Sequence, residues 1–186
     1  MDIVEGFSRI EYLVILISIV YGFSIVELFS NWARMIRLNV YYWETIVWSI
    51  ITFLTIANMW YIIWYDLSIL NKGFPVYFLI MLLPPIGLFF IIALLFPDKR
   101  KENWELKAYF LKNRKKLFTV MTTLALTVLI LGNVLDLVVT IEQNIFRTIL
   151  TLLLLANIFI NSIIFRTITV SITFLWYLYV MLLFGS

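Results

Sequence analysis

Apolar residues in this chain neither alternate nor recur in narrow stripes; they form long runs. Six runs stand out, at roughly 11–31, 44–65, 74–96, 117–139, 147–165 and 168–184. A helix needs about 20 such residues to cross the hydrocarbon core of a bilayer. The pattern therefore predicts an all-α polytopic transmembrane bundle of six spans, forming a single domain over residues 1–186. Pro84 and Pro85 fall inside the third run, where two missing backbone donors predict a kink. Only a tight turn at Arg166–Thr167 is expected between the fifth and sixth spans.

Composition reinforces this reading. Of 186 residues, 63% are hydrophobic and 13% charged, with a mean hydropathy of +1.02. Soluble domains are about 45–50% apolar and about 25% charged, so the expected solvent is lipid. The start, "MDIVEGFSRIEY", has no basic n-region, and no small-residue cleavage site follows the first run. That run is therefore expected to remain as a span.

Charge sets an orientation. The connections after spans one, three and five carry all of the 14 Lys and Arg residues except Arg9, Lys72 and Arg147. The positive-inside rule then predicts a multi-pass protein of the cell inner membrane, with both termini outside the cytoplasm. The aromatics fit the same frame. Tyr41, Tyr42 and Trp43 fall at the inner interface, and Trp60, Tyr61, Trp64 and Tyr65 at the outer one.

The longest polar segment is the basic cytoplasmic loop 97–116, which carries Lys99, Arg100, Lys101, Lys107, Lys112, Arg114, Lys115 and Lys116. Within it Trp104, Ala108 and Leu111 recur at helical spacing. An interfacial amphipathic helix between spans three and four is expected, its basic side facing anionic lipids at the cytoplasmic surface. Membrane orientation accounts for the basic pI of about 9.1 without a nucleic-acid partner.

Ionisable and amide groups inside apolar runs need a reason, because a mid-bilayer charge costs about 2.5–3.5 kcal/mol. Glu27 is the first. Ser24, Glu27, Asn31 and Arg34 are spaced to share one helix face, so Glu27 can look toward Arg34 on its own helix or across to Arg166. Two readings follow. Glu27 is a structural anchor neutralised by an arginine, or it binds a cation or carries a proton. The anchor is the default. Asn133 and Asp136 form an outer polar group with Asn58 at similar depth, and Asn157 and Asn161 step inward along the fifth span. Asparagines in lipid usually fasten helices to each other; the same residues could instead line a path.

Several chemistries are excluded by residue type. There is no Cys and no His, which removes thiol, disulfide and histidine-based chemistry. No lysine lies within an apolar run, and no phosphate-binding glycine loop, potassium-filter signature or paired-aspartate magnesium motif is present. Glu27 and Asp136 are expected near opposite faces and make a poor catalytic pair. No enzymatic activity, cofactor or metal is expected. Two classes remain: a small channel or transporter, expected as a homo-oligomer, and a non-transporting subunit that partners another membrane protein or senses the bilayer.

The opening pattern of Glu11-Tyr12, Leu16-Ile17-Ser18-Ile19 and Gly22, with "AYFLKNRKKLF" before the fourth span, resembles a family of small, uncharacterised bacterial inner-membrane proteins with about six transmembrane helices. The resemblance loosely covers most of the chain. It implies a bacterial membrane protein and assigns no functional residue.

Overall fold

The computed structural model describes residues 9–65, 76–98, 104–134 and 141–184. Within them are six helices: α1 (Arg9–Leu38), α2 (Trp43–Tyr65), α3 (Val76–Leu95), α4 (Leu106–Val134), α5 (Ile141–Phe159) and α6 (Ile163–Phe184). Among the described residues there is no strand. Three helical stretches, Val14–Leu38, Ile141–Phe159 and Ile163–Val180, are long and apolar enough on their own to cross a membrane, and Met81–Leu95 is a shorter apolar helix. Six spans were expected, and length with composition supports three.

Helix ends follow local chemistry. α1 stops at Asn39, whose φ of 52° is left-handed. The Asn39 N–H donates to the Ile36 carbonyl (3.1 Å) and the Val40 N–H to that of Met35 (3.2 Å). This is a Schellman closure with asparagine where glycine is commonest. α6 starts after Ser162, whose carbonyl accepts from the Arg166 N–H at 3.2 Å. Serine favours that capping position. The turn between α5 and α6 therefore lies at 160–162 and not at Arg166–Thr167. Arg166 sits inside α6, because its charge finds a carboxylate within the bundle.

Paired contacts give the direction of each helix. Trp32–Ser49 and Tyr21–Trp60 make α1 and α2 antiparallel. Gly87–Leu124 and Ala93–Tyr109 do the same for α3 and α4, as do Arg114–Asn157 and Asn133–Asn144 for α4 and α5. Asn157–Thr169 and Phe146–Trp176 make α5 and α6 antiparallel. Glu44–Arg166 and Thr55–Tyr177 make α2 and α6 parallel, and Tyr42–Phe110 and Trp48–Phe118 make α2 parallel to α4. The chain thus runs alternately up and down. The connections 39–42 and 160–162 gather at one end with residues 96–98 and 104–105, and this is here called the basic end. α2 is the hub, packing on α1, α3, α4 and α6.

The core holds Trp48, Tyr21, Phe110 and Phe118 with many Ile and Leu. At Gly87 an added Cβ would come within 3.1 Å of Leu124 Cδ1, so glycine sets the close approach of α3 to α4. α3 continues as a helix through the buried Pro84 and Pro85. Large apolar residues cover the outside. On α5 Ile141, Ile145, Ile149, Leu152 and Phe159 are exposed along one side, a surface suited to lipid.

The basic segment departs from expectation. No separate surface helix covers its described part: α4 runs unbroken from Leu106 to Val134. Trp104, Leu106, Phe110 and Arg114 are buried, while Lys107, Ala108, Leu111, Lys112, Lys115 and Lys116 point outward. Trp104 and Arg114 therefore do not form part of a lipid-facing surface. The spacing 106, 110, 114, 117 and 121 defines the stripe that enters the core, and Arg114 lies on it. Lys99, Arg100 and Lys101 lie outside the described residues.

Candidate functional site: a buried ion pair at the basic end

The most concentrated polar chemistry in the described interior lies where α2 and α6 begin. Glu44 occupies the first turn of α2, where a carboxylate also complements the helix dipole. Arg166 occupies the first turns of α6. The arginine grips the carboxylate with two bonds, Nε to Oε2 at 2.8 Å and Nη2 to Oε1 at 3.0 Å. Glu44 is fully buried and Arg166 is 4% exposed. Such a fork matches the carboxylate geometry in a way a lysine could not. Tyr42 Oη donates to Glu44 Oε1 at 2.6 Å, and Arg166 Nη1 donates to Asn161 Oδ1 at 3.3 Å. The phenol is pushed up to about 12 by burial, by its hydrogen bond to Glu44 and by the carboxylate's charge.

Arg114 completes this end. Its Nη1 donates to the carbonyls of Asn157 (2.5 Å) and Ile160 (2.7 Å). The Asn157 carbonyl lies in the last turn of α5, where the helix itself provides no donor, and that of Ile160 lies just beyond it. A cation there is favourable, so Arg114 caps α5. It is also close enough to feel repulsion from Arg166 and attraction to Glu44.

The residues singled out from the sequence separate into groups. Arg166, Asn161, Asn157 and Arg114 meet in this cluster. Glu27 does not: Arg166 pairs with Glu44 instead. Glu27 is half-buried on α1, and its Oε1 accepts from Asn31 Nδ2 at 3.1 Å. Arg34, on the same helix face, places its Cζ 5.1 Å from the Trp104 ring centroid. That contact is cation–π in character and fastens α1 to the segment before α4. Asn58 is half-buried on α2. Asn133 is exposed at the other end, where its Oδ1 accepts from Asn144 Nδ2 at 3.1 Å. Asp136 lies outside the described residues.

Glu44 was not among the sequence candidates. Beside Tyr41, Tyr42 and Trp43 it reads as an interfacial charge. The available signal was positional: Glu44 begins α2 and Arg166 begins α6, at matching depth from the same end.

Across the bundle, polar side chains join neighbours. Trp32 Nε1 donates to Ser49 Oγ at 2.8 Å between α1 and α2. The hydroxyls of Thr55 and Tyr177 are 2.7 Å apart between α2 and α6. Asn157 Nδ2 donates to Thr169 Oγ1 at 2.8 Å between α5 and α6. Among the described residues no group of three carboxylates is placed to hold a metal ion. No protein family, curated protein or solved structure matches the chain.

Proposed function

We propose that the chain is a non-transporting subunit of a bacterial inner membrane that crosses it six times, with the basic end in the cytoplasm and another membrane protein as its partner. The observation that carries this reading is the use made of the interior polar groups. The Glu44–Arg166 pair and the Trp32–Ser49, Thr55–Tyr177 and Asn157–Thr169 contacts each join two helices. Groups consumed in this way rigidify a scaffold. The alternating helix directions support six crossings, and the exposed Lys107, Lys112, Lys115 and Lys116 suit anionic headgroups on the cytoplasmic side.

One observation favours a small cation path instead: Glu27 is a half-buried carboxylate within an apolar helix. Flux measurements on reconstituted protein separate the two. The scaffold reading expects no proton or alkali-cation flux above that of protein-free vesicles. A flux that Glu27→Gln abolishes, with melting unchanged, would establish the path. Purification in mild detergent, without denaturant, is expected to bring down a membrane protein in fixed proportion.

A further inference from the structure

We propose that the interval between α2 and α4 at the basic end binds a compact monovalent anion of the halide class, held by the Thr45 hydroxyl, the Trp48 indole N–H and Arg114.

Thr45 is the first observation. Every other described threonine donates its hydroxyl to the carbonyl four residues earlier. Thr45 does not, because the residue four positions before it precedes the helix. Its side chain is fully buried and Oγ1 has no partner. Trp48 lies one turn on along the same face, and its Nε1 is likewise buried without an acceptor. By contrast, the indoles of Trp32 and Trp104 donate to Ser49 Oγ and to the Asp98 carbonyl. A buried donor left unmade costs about 1–3 kcal/mol, so two in adjacent turns point to a missing acceptor.

Arg114 is the second observation, and it faces the same interval. The parallel helices α2 and α4 touch at Tyr42–Phe110 (centroids 5.5 Å apart) and at Trp48–Phe118 (5.6 Å). Thr45 lies midway between the two contacts on α2, and Arg114 midway on α4. The hydrogen bonds of Arg114 to the end of α5 are both made by Nη1. Its charge is also unbalanced. Two guanidinium groups share the single carboxylate of Glu44, and the carbonyl end of α5 supplies only about half a negative charge. A water molecule would satisfy the donors and leave the charge; an anion answers both. Thr45, Trp48 and Arg114 are 0%, 2% and 5% exposed, which leaves a bare ion and not a lipid phosphate with its glycerol as the fitting occupant. The inference is independent of whether the protein transports anything.

The test is thermal unfolding of the full chain in uncharged detergent, with sodium gluconate replaced stepwise by chloride or bromide at constant ionic strength. The expected result is a saturable rise in the unfolding midpoint, because a ligand of the folded state stabilises it by mass action. Thr45→Val, close in size and lacking the hydroxyl, should need several-fold more halide. Trp48→Phe should do the same, and it serves if Thr45→Val does not fold. Equal midpoints in gluconate and chloride would overturn the proposal. So would a rise that never saturates, or one that both variants reproduce unchanged.

Discussion

Removing either member of the Glu44–Arg166 pair leaves the other charge where water does not reach. Breaking such a pair from one side costs about 3–5 kcal/mol, whereas replacing both members with apolar residues of similar size is often neutral. Glu44→Leu and Arg166→Met should each sharply lower the unfolding midpoint. The double variant should lie well above the sum of the two losses in a double-mutant cycle. Additive losses would mean that the two side chains do not act together. Tyr42 offers a readout by pH. Its neutral phenol donates to the carboxylate, so the folded state holds this proton more tightly than an unfolded chain, whose tyrosines titrate near pH 10. The resulting stabilisation is complete below about pH 10 and is lost as pH rises through about 12. An absorbance titration of the wild type minus that of Tyr42→Phe should isolate one phenol ionising near the upper value. A difference curve centred near pH 10 would contradict the hydrogen bond.

At the scale of elements, α4 turns Lys107, Lys112, Lys115 and Lys116 outward and sends Leu106, Phe110, Arg114 and Leu117 into the core. Trp104, just before it, packs near Phe96 and under Arg34, so Trp104→Ala should cost about 3–5 kcal/mol, the usual range for a buried aromatic. A surface tryptophan would lose far less, and the unfolding midpoint of the variant distinguishes the two. The segment also shows where the sequence was legible. Long apolar runs located all six helices, although only three of the helices are long and apolar enough on their own to cross a membrane. The runs do not locate the turn after α5, because an arginine in an apolar run reads as an exit from the membrane while its partner, Glu44, lies 122 residues away. Nor did they separate Arg114 from the lysines around it. Side-chain type is the same for a capping arginine and a surface one; only its place on the stripe of Leu106, Phe110 and Leu117 distinguishes it. Glu44 stayed hidden because a carboxylate among interfacial aromatics needs no partner until a second helix brings one.

At the scale of the whole molecule, the alternating helices bring residues 39–42, 96–98, 104–105 and 160–162 to one end, and the chain's freedom from cysteine makes any introduced thiol unique. Cysteines at Lys72 and Lys112 should react with a membrane-impermeant maleimide from opposite sides of sealed membranes, with Lys112 on the cytoplasmic side. Reaction of both from the same side would sink the six-span orientation. The central claim is that interior polar groups fasten helices and do not line a wet path. The most direct measurement places cysteines at Ser24, Thr52 and Thr173, each fully or almost fully buried and each a small change in size, and applies the same reagent from both sides of native membranes. The packed bundle predicts no labelling at any of the three while the Lys72 and Lys112 cysteines label fully. Labelling of the interior thiols from either side, in protein with an unchanged melting point, would show water inside the bundle and contradict the account.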